Sequence, residues 1–286
     1  MPTHSLTVDV EDWYHVENLR SKIPPASWDQ QPARLEANVD RLLELFAGCG
    51  ARATFFVLGA AAKRHLGVVR RIVDAGHELA CHGFSHDLIY RQEPEVFRAE
   101  TRDAKALLED QGGCAVSGYR GSTFSITKRS LWALEIIAEE GFSYDSSIAP
   151  LRHDRYGIPD APQQPYAHTL AGGLELVEFP ISCFRFMGKK LPLGGGFFRL
   201  LPLRYFVRAF EQYAAAGQSG SIYIHPWEID PDQPRVDGLG RIAAFRHYTG
   251  LAKLHDKLHR LLQTATFTTM RDVLSREFPR VGADCA

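Results

Sequence analysis

Short apolar runs alternate with amphipathic segments along most of the chain, a pattern typical of an α/β fold. Apolar, β-branched runs indicate buried strands, and polar residues follow directly where several of these runs end. Between them, residues 31–47, 93–111, 127–140 and 203–216 carry apolar residues at helical spacing. About six or seven such β–α units in one chain predict a parallel (β/α) barrel with right-handed crossovers.

The alternation is interrupted between residues 150 and 173, where proline and glycine recur without periodicity, so we predict an excursion loop or a small hairpin there. Near the C-terminus, residues 242–262 form an amphipathic helical region in which His247 is predicted to face solvent. The chain length suits one large core. We therefore predict a single domain over residues 1–286, in which residues 231–286 form a helical extension packed on the barrel.

Two histidines four residues apart give the first indication of chemistry. His82 and His86 follow the short strand predicted after Gly76, with small and turn-compatible residues between them. Such a pair can close on one divalent metal ion, and active sites of parallel α/β folds gather at the carboxyl ends of the strands. In a chain with 12 histidines, this pair alone is weak evidence for a metal site, so the interpretation depends on the neighbouring strand ends.

The first predicted strand ends in acidic residues. Asp9, Glu11 and Asp12 lie within four positions of one another after an apolar run. Carboxylates this close repel one another, so a concave site that contains them needs a cation. The alternative is a solvated acidic turn whose aspartates cap the next element.

Two other strand ends carry candidate catalytic groups. His225 ends an apolar strand and is followed by Pro226, which stops the strand ladder. An imidazole, whose ordinary pKa is about 6.5, is a candidate general acid near neutral pH. Arg120 follows another short strand and can orient a free carboxylate, although an arginine in such a place is more often part of a surface ion pair.

Aromatic and glycine residues leave two interpretations open. Five aromatic residues are candidates either for stacking on sugar rings or for the core, namely Trp13, Tyr14, Phe197, Phe198 and Trp227. Residues 194–196 are three consecutive glycines, which either let the backbone approach a ligand or form a flexible turn.

Composition restricts the partners. The formal net charge of −1 argues against a nucleic-acid or anionic-membrane partner. No stretch approaches the roughly 18 apolar residues of a membrane span, and the first strand begins too early for a signal peptide, so we predict a cytoplasmic protein. Five cysteines without C-x-x-C spacing fit reduced thiols. The sequence leaves homo-oligomerisation open.

Four short motifs stand in order at the predicted strand ends: Asp9-Val10-Glu11-Asp12, His82-Gly83-Phe84-Ser85-His86, Tyr119-Arg120-Gly121-Ser122 and Ile224-His225-Pro226. In this order and spacing they resemble the signature motifs of the NodB-type polysaccharide deacetylase superfamily. Residues 193–202, 225–230 and 245–248 also resemble a narrower subfamily found with bacterial exopolysaccharide and exosortase loci. The resemblance spans nearly the whole chain.

The resemblance implies a distorted, incomplete parallel (β/α) barrel of about seven strands. It also implies a hydrolase of linear amide C–N bonds, which removes N-acetyl groups from amino sugars in exopolysaccharide biosynthesis. Asp9 would be the general base, Arg120 its orienting partner and His225 the general acid. His82, His86 and an acidic residue would hold one divalent metal ion, for which zinc is the default and cobalt or nickel also suit the ligands.

The acidic metal ligand stays open between Glu11 and Asp12. Val10 follows Asp9 where the commonest family motif has two adjacent aspartates. Glu11 keeps the strand face of Asp9, whereas Asp12 requires that the strand has already turned, so Glu11 is slightly favoured.

Two functions of other classes remain. A related barrel amidohydrolase that acts on a cyclic imide or ureide would use the same architecture with altered ligands. A non-catalytic sugar-binding member of a polysaccharide assembly system would have lost the chemistry. The second is disfavoured because idle acids and histidines are costly to keep buried.

Overall fold

The computed structural model describes residues 3–285, so Met1, Pro2 and Ala286 of the predicted single domain lie outside the described residues. The strands are, in chain order, β1 (His4–Val10), β2 (Thr54–Val57), β3 (Glu78–Cys81), β4 (Gly118–Tyr119), β5 (Tyr144–Asp145), β6 (Tyr166–Thr169), β7 (Glu175–Glu178), β8 (Cys183–Phe186), β9 (Lys189–Pro192), β10 (Ser221–Ile224) and β11 (Phe267–Thr268).

The α-helices are, in chain order, α1 (Leu35–Cys49), α2 (Gly59–Arg64), α3 (Val68–Asp74), α4 (Pro94–Gly112), α5 (Trp132–Glu139), α6 (Gly195–Leu200), α7 (Leu203–Ala215), α8 (Arg241–Tyr248), α9 (Leu251–Leu262) and α10 (Met270–Leu274). Among the described residues, none of the helices is long and apolar enough to cross a membrane.

Seven parallel strands form the barrel wall, in the order β10, β1, β2, β3, β4, β5 and β7. The antiparallel strand β6 lies beyond β7, and β11 pairs with the start of β1. Strand pairing leaves the ring open between β7 and β10. Across this gap, the backbone N–H of Ser221 donates to Ser182 Oγ (2.8 Å) and that of Tyr223 donates to the Leu193 carbonyl (3.3 Å). The predicted α/β fold with an incomplete parallel barrel is confirmed.

The register of the central strands brings the candidate side chains to one rim. Asp9 in β1 lies opposite Phe56 in β2, and Val57 lies opposite Cys81 at the end of β3. In β4, Tyr119 pairs with the same Cys81, so the residues that follow these two strands are neighbours. The strands are buried along their whole length, as expected when helices cover a parallel sheet.

Several short elements did not emerge from the sequence pattern. The hairpin of β8 and β9 and the two-residue strand β11 are too short to show a periodicity. The predicted excursion at residues 150–173 ends in β6, which forms an antiparallel hairpin with β7. Residues 242–262, predicted as one helical region, form α8 and α9, with Gly250 in the left-handed region at φ 84° between them.

A glycine in β4 lets the neighbouring strand pack closely beneath the rim. A Cβ atom on Gly118 would lie 2.1 Å from Cζ of Tyr144, its pairing partner in β5. The Tyr144 hydroxyl in turn donates to Glu78 Oε1 at 2.8 Å, which holds the ring in place. Any larger residue at position 118 must therefore displace a buried, hydrogen-bonded ring.

We expect Gly118→Ala to lower the free energy of unfolding by about 1–3 kcal/mol, because overpacking forces side chains and backbone to shift. Urea denaturation measures this change. Gly48→Ala is the matched control, since a Cβ there has nothing within 4 Å and the residue lies in α1. That control should be stabilised by about 0.5–1 kcal/mol. Equal effects of the two substitutions would contradict the proposed close contact.

Candidate active site

Three predicted ligands come together at the carboxyl ends of the strands. Glu11, His82 and His86 each offer a ligand atom, and these atoms all lie within 4.8 Å of one another. Glu11 Oε2 lies 2.6 Å from His86 Nε2. All three residues are buried, with 2–3% of their surface exposed. A carboxylate with two imidazoles is a donor set that suits a divalent metal with open positions, so these residues fit such an ion.

Local structure orients the two histidines. His82 Nδ1 lies 2.8 Å from the Arg120 carbonyl, so Nδ1–H donates there and Nε2 is left as the ligand atom. The turn after His82 passes through Gly83 at φ 73°, and His86 itself lies in the left-handed region at φ 58°. Non-glycine residues adopt this conformation rarely, and such backbone strain concentrates at functional sites.

The pKa values of the cluster follow from burial and mutual contact. Burial alone would raise the pKa of Glu11, but the charges of His86, His225 and His82 and a hydrogen bond from His86 hold it well below its usual range. Burial lowers the pKa of His82 to about 4, so its imidazole is neutral near pH 7. An ionised carboxylate and a neutral imidazole are the forms that bind metals.

Asp12, the other acidic candidate, lies outside the cluster. Its Oδ1 accepts the backbone N–H of Trp13 at 2.8 Å, and its Oδ2 accepts those of Arg34 at 2.8 Å and Leu35 at 3.1 Å. The carboxylate therefore caps a helical turn and anchors the start of α1. Of the two alternatives for the acidic ligand, the structure brings Glu11 to the histidines and not Asp12.

Asp9 and Arg120 form a buried ion pair beside the cluster. Arg120 Nη1 donates to Asp9 Oδ1 and to Thr7 Oγ1, both at 2.7 Å. Its Nε and Nη2 donate to the carbonyl and hydroxyl of Ser146. Arg120 is 0% exposed, so it is not part of a surface ion pair. One oxygen of Asp9 is held in place by this contact.

His225 lies above the acidic floor, where 18% of its side chain is exposed. Its Nε2 is 3.9 Å from Asp9 Oδ2 and 3.5 Å from Glu11 Oε1. Burial alone would lower the pKa of His225, but the charge and hydrogen bond of Glu228, followed by Glu11 and Asp9, raise it to about 9. The proton on Nε2 therefore faces the same space as the free oxygen of Asp9.

Sequence reasoning missed the groups that hold His225. Glu228 Oε2 accepts the backbone N–H of His225 and lies 3.0 Å from its Nδ1. Arg199 Nε donates to the other oxygen of Glu228 at 2.7 Å, and both residues are buried. The spacing of His225, Pro226 and Glu228 is that of a helix cap, a signal that could have identified Glu228. Nothing local in the sequence indicates Arg199.

The prediction for His247 was wrong. It is buried and stacks on Trp227 at 4.6 Å between ring centroids, instead of facing solvent. The reason is the loop before α8, where Gln233 Oε1 lies 2.7 Å from His247 Nε2. Trp227 Nε1 donates to Glu11 Oε1 at 3.3 Å, so this stack reaches the metal-ligand cluster.

The glycine triplet and the aromatic residues divide between packing and cavity. Gly194 at φ 154° and Gly195 at φ 50° lie against Tyr223, whose atoms a Cβ would meet at 2.3 Å and 2.9 Å. The close approach is thus to a strand residue of the protein. Of the five candidate aromatics, Phe197 and Trp227 line the cavity above the site. The other three are buried, namely Trp13, Tyr14 and Phe198.

The cavity has a volume of about 520 Å³, within the range of small-molecule sites. Its floor contains Asp9, Glu11, His82, His86 and His225. The candidate base Asp9, the candidate acid His225 and the candidate metal ligands thus share one concave space, an arrangement suited to hydrolysis.

Comparison with known families divides the chain into two regions. Residues 22–138 match the family model described as polysaccharide deacetylase, and residues 146–275 match a domain of unknown function, DUF3473. His82, His86 and Arg120 lie in the first region, whereas His225 lies in the second. The site therefore draws side chains from both.

Individual relatives cover part of the chain in sequence and most of it in structure. The chain is 31% identical over 117 residues to the peptidoglycan deacetylase of Helicobacter pylori, covering 40% of this chain and 38% of that protein. The chain spans less than half the length of the curated relatives it matches.

Two solved structures share the fold. One, from Mycobacterium smegmatis, is assigned as a polysaccharide deacetylase (TM-score 0.64, 20% identity), and the other is Puue allantoinase (TM-score 0.64, 17% identity). Each comparison covers 97% of this chain and 90% of the other. At these identities the likeness establishes the fold alone.

We expect Asp12→Ala to lower the free energy of unfolding by about 1–3 kcal/mol, because three buried backbone donors lose their acceptor. Chemical denaturation measures the loss. Asp256→Ala, at a side chain that is 90% exposed, is the control and should change stability by less than about 0.5 kcal/mol. Unchanged stability in Asp12→Ala, together with lost metal, would instead assign Asp12 to a metal.

Proposed function

We propose that this protein removes N-acetyl groups from amino sugars with the help of one divalent metal ion, because residues 22–138 match the family model described as polysaccharide deacetylase. The observation that carries this proposal is the cluster of Glu11, His82 and His86 beside the Asp9 carboxylate. Such a combination of ligands and base is what amide hydrolysis requires.

Glu11, His82 and His86 would hold the metal. Their donor set suits zinc best, and cobalt or nickel would also bind. When bound, the ion supplies a Lewis acid that polarises the acetyl carbonyl and makes water more acidic. The hydrogen bond from His82 Nδ1 to the Arg120 carbonyl keeps its Nε2 directed at the site.

Asp9 would be the general base. Its Oδ1 is bound to Arg120, so Oδ2 is the oxygen that can accept a proton from the attacking water. The four hydrogen bonds of Arg120 to Asp9, Thr7 and Ser146 hold the guanidinium rigidly. Arg120 therefore acts as a positioning residue that keeps the carboxylate aimed at the cavity.

His225 would be the general acid that protonates the departing amine. Glu228 binds its Nδ1, which leaves the Nε2–H facing the cavity floor near Asp9 and Glu11. Arg199 fixes the far oxygen of Glu228. We assign Glu228 and Arg199 as positioning residues for His225, because neither needs to touch the substrate.

We place this activity in bacterial exopolysaccharide biosynthesis. Support comes from the pairing of the two matched regions, which is typical of deacetylases from exopolysaccharide loci. The cytoplasmic location remains a prediction from the sequence, and homo-oligomerisation remains open.

Hydrolysis of a cyclic ureide is the alternative that shares this fold, as the similarity to an allantoinase illustrates. The sequence match to deacetylases favours the acetylated sugar instead. Fold alone does not choose between them, since chemistry depends on the site.

The decisive experiment is acetate release from N-acetylglucosamine oligosaccharides by zinc-loaded protein, followed with a coupled assay. We expect turnover that a chelator abolishes and added zinc restores. Asp9→Asn should keep the metal and lose turnover by roughly 100-fold or more, because an amide does not accept the proton.

Metal content separates the ligands in the same preparations. Glu11→Gln and His82→Ala should lose stoichiometric metal, whereas Asp12→Asn, the matched acidic control, should keep it. Wild-type metal content in Glu11→Gln would remove Glu11 from the ligand set. Hydrolysis of allantoin without acetate release from any sugar would replace the proposed function by the ureide alternative.

His225→Ala should lower turnover of an acetamido sugar by roughly 100-fold while metal content is preserved. The defect should shrink on an acetyl ester, because an alkoxide leaves with less need of a proton than an amine. Glu228→Gln should lower kcat without changing KM, and Glu228→Asp should restore part of it. An equal loss on amide and ester would point to substrate positioning in place of acid catalysis.

A further inference from the structure

The cavity of the proposed active site opens through a mouth rich in arginine. Arg155 and Arg246 line the cavity itself. The same two residues, joined by Arg241, line a shallower depression that adjoins the mouth. Arg155 comes from the excursion between β5 and β6, whereas Arg241 and Arg246 lie on α8.

Among the described side chains, these guanidinium groups have no carboxylate partner. Within the part of the chain that the structure describes, Arg155, Arg241 and Arg246 form no ion pair. Of the acids nearby, Glu17 lies 3.5 Å from Arg91, and Asp154 lies 2.8 Å from His153. Among the described residues, neither forms an ion pair with Arg155, Arg241 or Arg246. The formal net charge of the whole chain is −1, so the positive mouth is a local feature.

The charges of Arg155 and Arg246 both affect His153, which also lines the cavity. Burial lowers the pKa of His153. The charge of Asp154 opposes this shift, and the smaller effects of Arg155 and Arg246 add to it. Two cations from separate segments of the chain line the cavity together with this imidazole. Guanidinium groups brought together without an acid are suited to an oxyanion, which each can bind through two parallel hydrogen bonds.

An exposed apolar surface accompanies this charge. Ile242 is 71% exposed and Phe245 is 56% exposed, and both line the cavity on the same helix as Arg246. Phe245 can stack on the apolar face of a sugar ring, as aromatic side chains at binding sites do. Helix α8 therefore presents an apolar contact next to a cation.

We propose that the substrate is an anionic amino sugar, whose phosphate or carboxylate group binds Arg155 and Arg246 while its acetamido group lies on the cavity floor. This inference rests on the proposed deacetylation and adds its substrate class. A sugar phosphate and a uronate-containing saccharide share the recognised oxyanion. Neutral N-acetyl sugars would lack this contact and bind more weakly.

The test is equilibrium binding to metal-loaded Asp9→Asn protein, in which turnover is suppressed. The probes are N-acetylglucosamine, N-acetylglucosamine 1-phosphate and a disaccharide of N-acetylglucosamine with glucuronate. We expect at least one anionic probe to bind about tenfold or more tightly than the neutral sugar, as charge-assisted hydrogen bonds allow. The difference should shrink at high salt. Comparison of the two anionic probes shows whether the arginines bind a phosphate or a carboxylate.

Arginine variants assign the contact. In the Asp9→Asn background, Arg155→Gln and Arg246→Gln should each weaken binding of the anionic probe about tenfold. The affinity for the neutral sugar should stay unchanged. Arg208→Gln is the matched control, since Arg208 is an exposed arginine of α7 away from the cavity, and it should change neither affinity. Thermal unfolding of each variant checks that the fold is intact.

Equal affinity for charged and neutral probes, including undetectable binding of all of them, overturns the inference. So does an equal loss on charged and neutral probes in the arginine variants. If zinc-loaded protein with Asp9 intact releases acetate from neutral and anionic substrates at equal kcat/KM, the inference about charge is overturned and the proposed function stands. If the charged probes bind more tightly but zinc-loaded protein with Asp9 intact releases no acetate from any probe, the proposed function is overturned instead.

Discussion

The compensation of buried negative charge organises the rim of this barrel. Among the described residues, four of the buried carboxylates of this rim lie around the cavity and the start of α1, namely Asp9, Glu11, Asp12 and Glu228. An isolated buried charge is strongly unfavourable, so each needs its own counterpart. Asp9 has Arg120, Glu228 has Arg199, Asp12 has three backbone N–H groups, and Glu11 has the histidines. Asp9, Glu228 and Asp12 are thus balanced by protein groups alone, which leaves Glu11 as the carboxylate best suited to a metal.

The two buried arginines also connect distant parts of the chain. Arg120 joins the end of β4 to β1 and to the segment after β5. Arg199 joins the segment after β10 to the C-terminal end of α8, because it contacts Glu228 and donates to the carbonyls of Arg246, His247 and Thr249. The proposed base, Asp9, is thus held directly by Arg120, and the proposed acid, His225, is held by Arg199 through Glu228. Precise placement of catalytic groups requires such support from neighbouring residues.

The candidate active site therefore contains residues of both matched regions. The polysaccharide deacetylase match contains His82, His86 and Arg120, whereas the region of unknown function contains His225, Glu228 and Arg199. The second region also supplies the mouth of the cavity, through Arg155 and α8. It thus completes the site and shapes the entrance through which a substrate must pass. Shared folds among hydrolases of different substrates are consistent with such variation around a common barrel.

The sequence by itself determined the barrel class and the strand ends from which Asp9, His82, His86, Arg120 and His225 emerge. These follow from local periodicity, and parallel strands bring their carboxyl ends to one rim. Only the tertiary structure decided that Glu11, and not Asp12, faces the histidines, because side-chain direction after a strand ends depends on the turn that follows. It alone also paired Arg199 with Glu228 and buried His247. Contacts between residues far apart in the chain leave no periodic trace, since they depend on how whole elements pack.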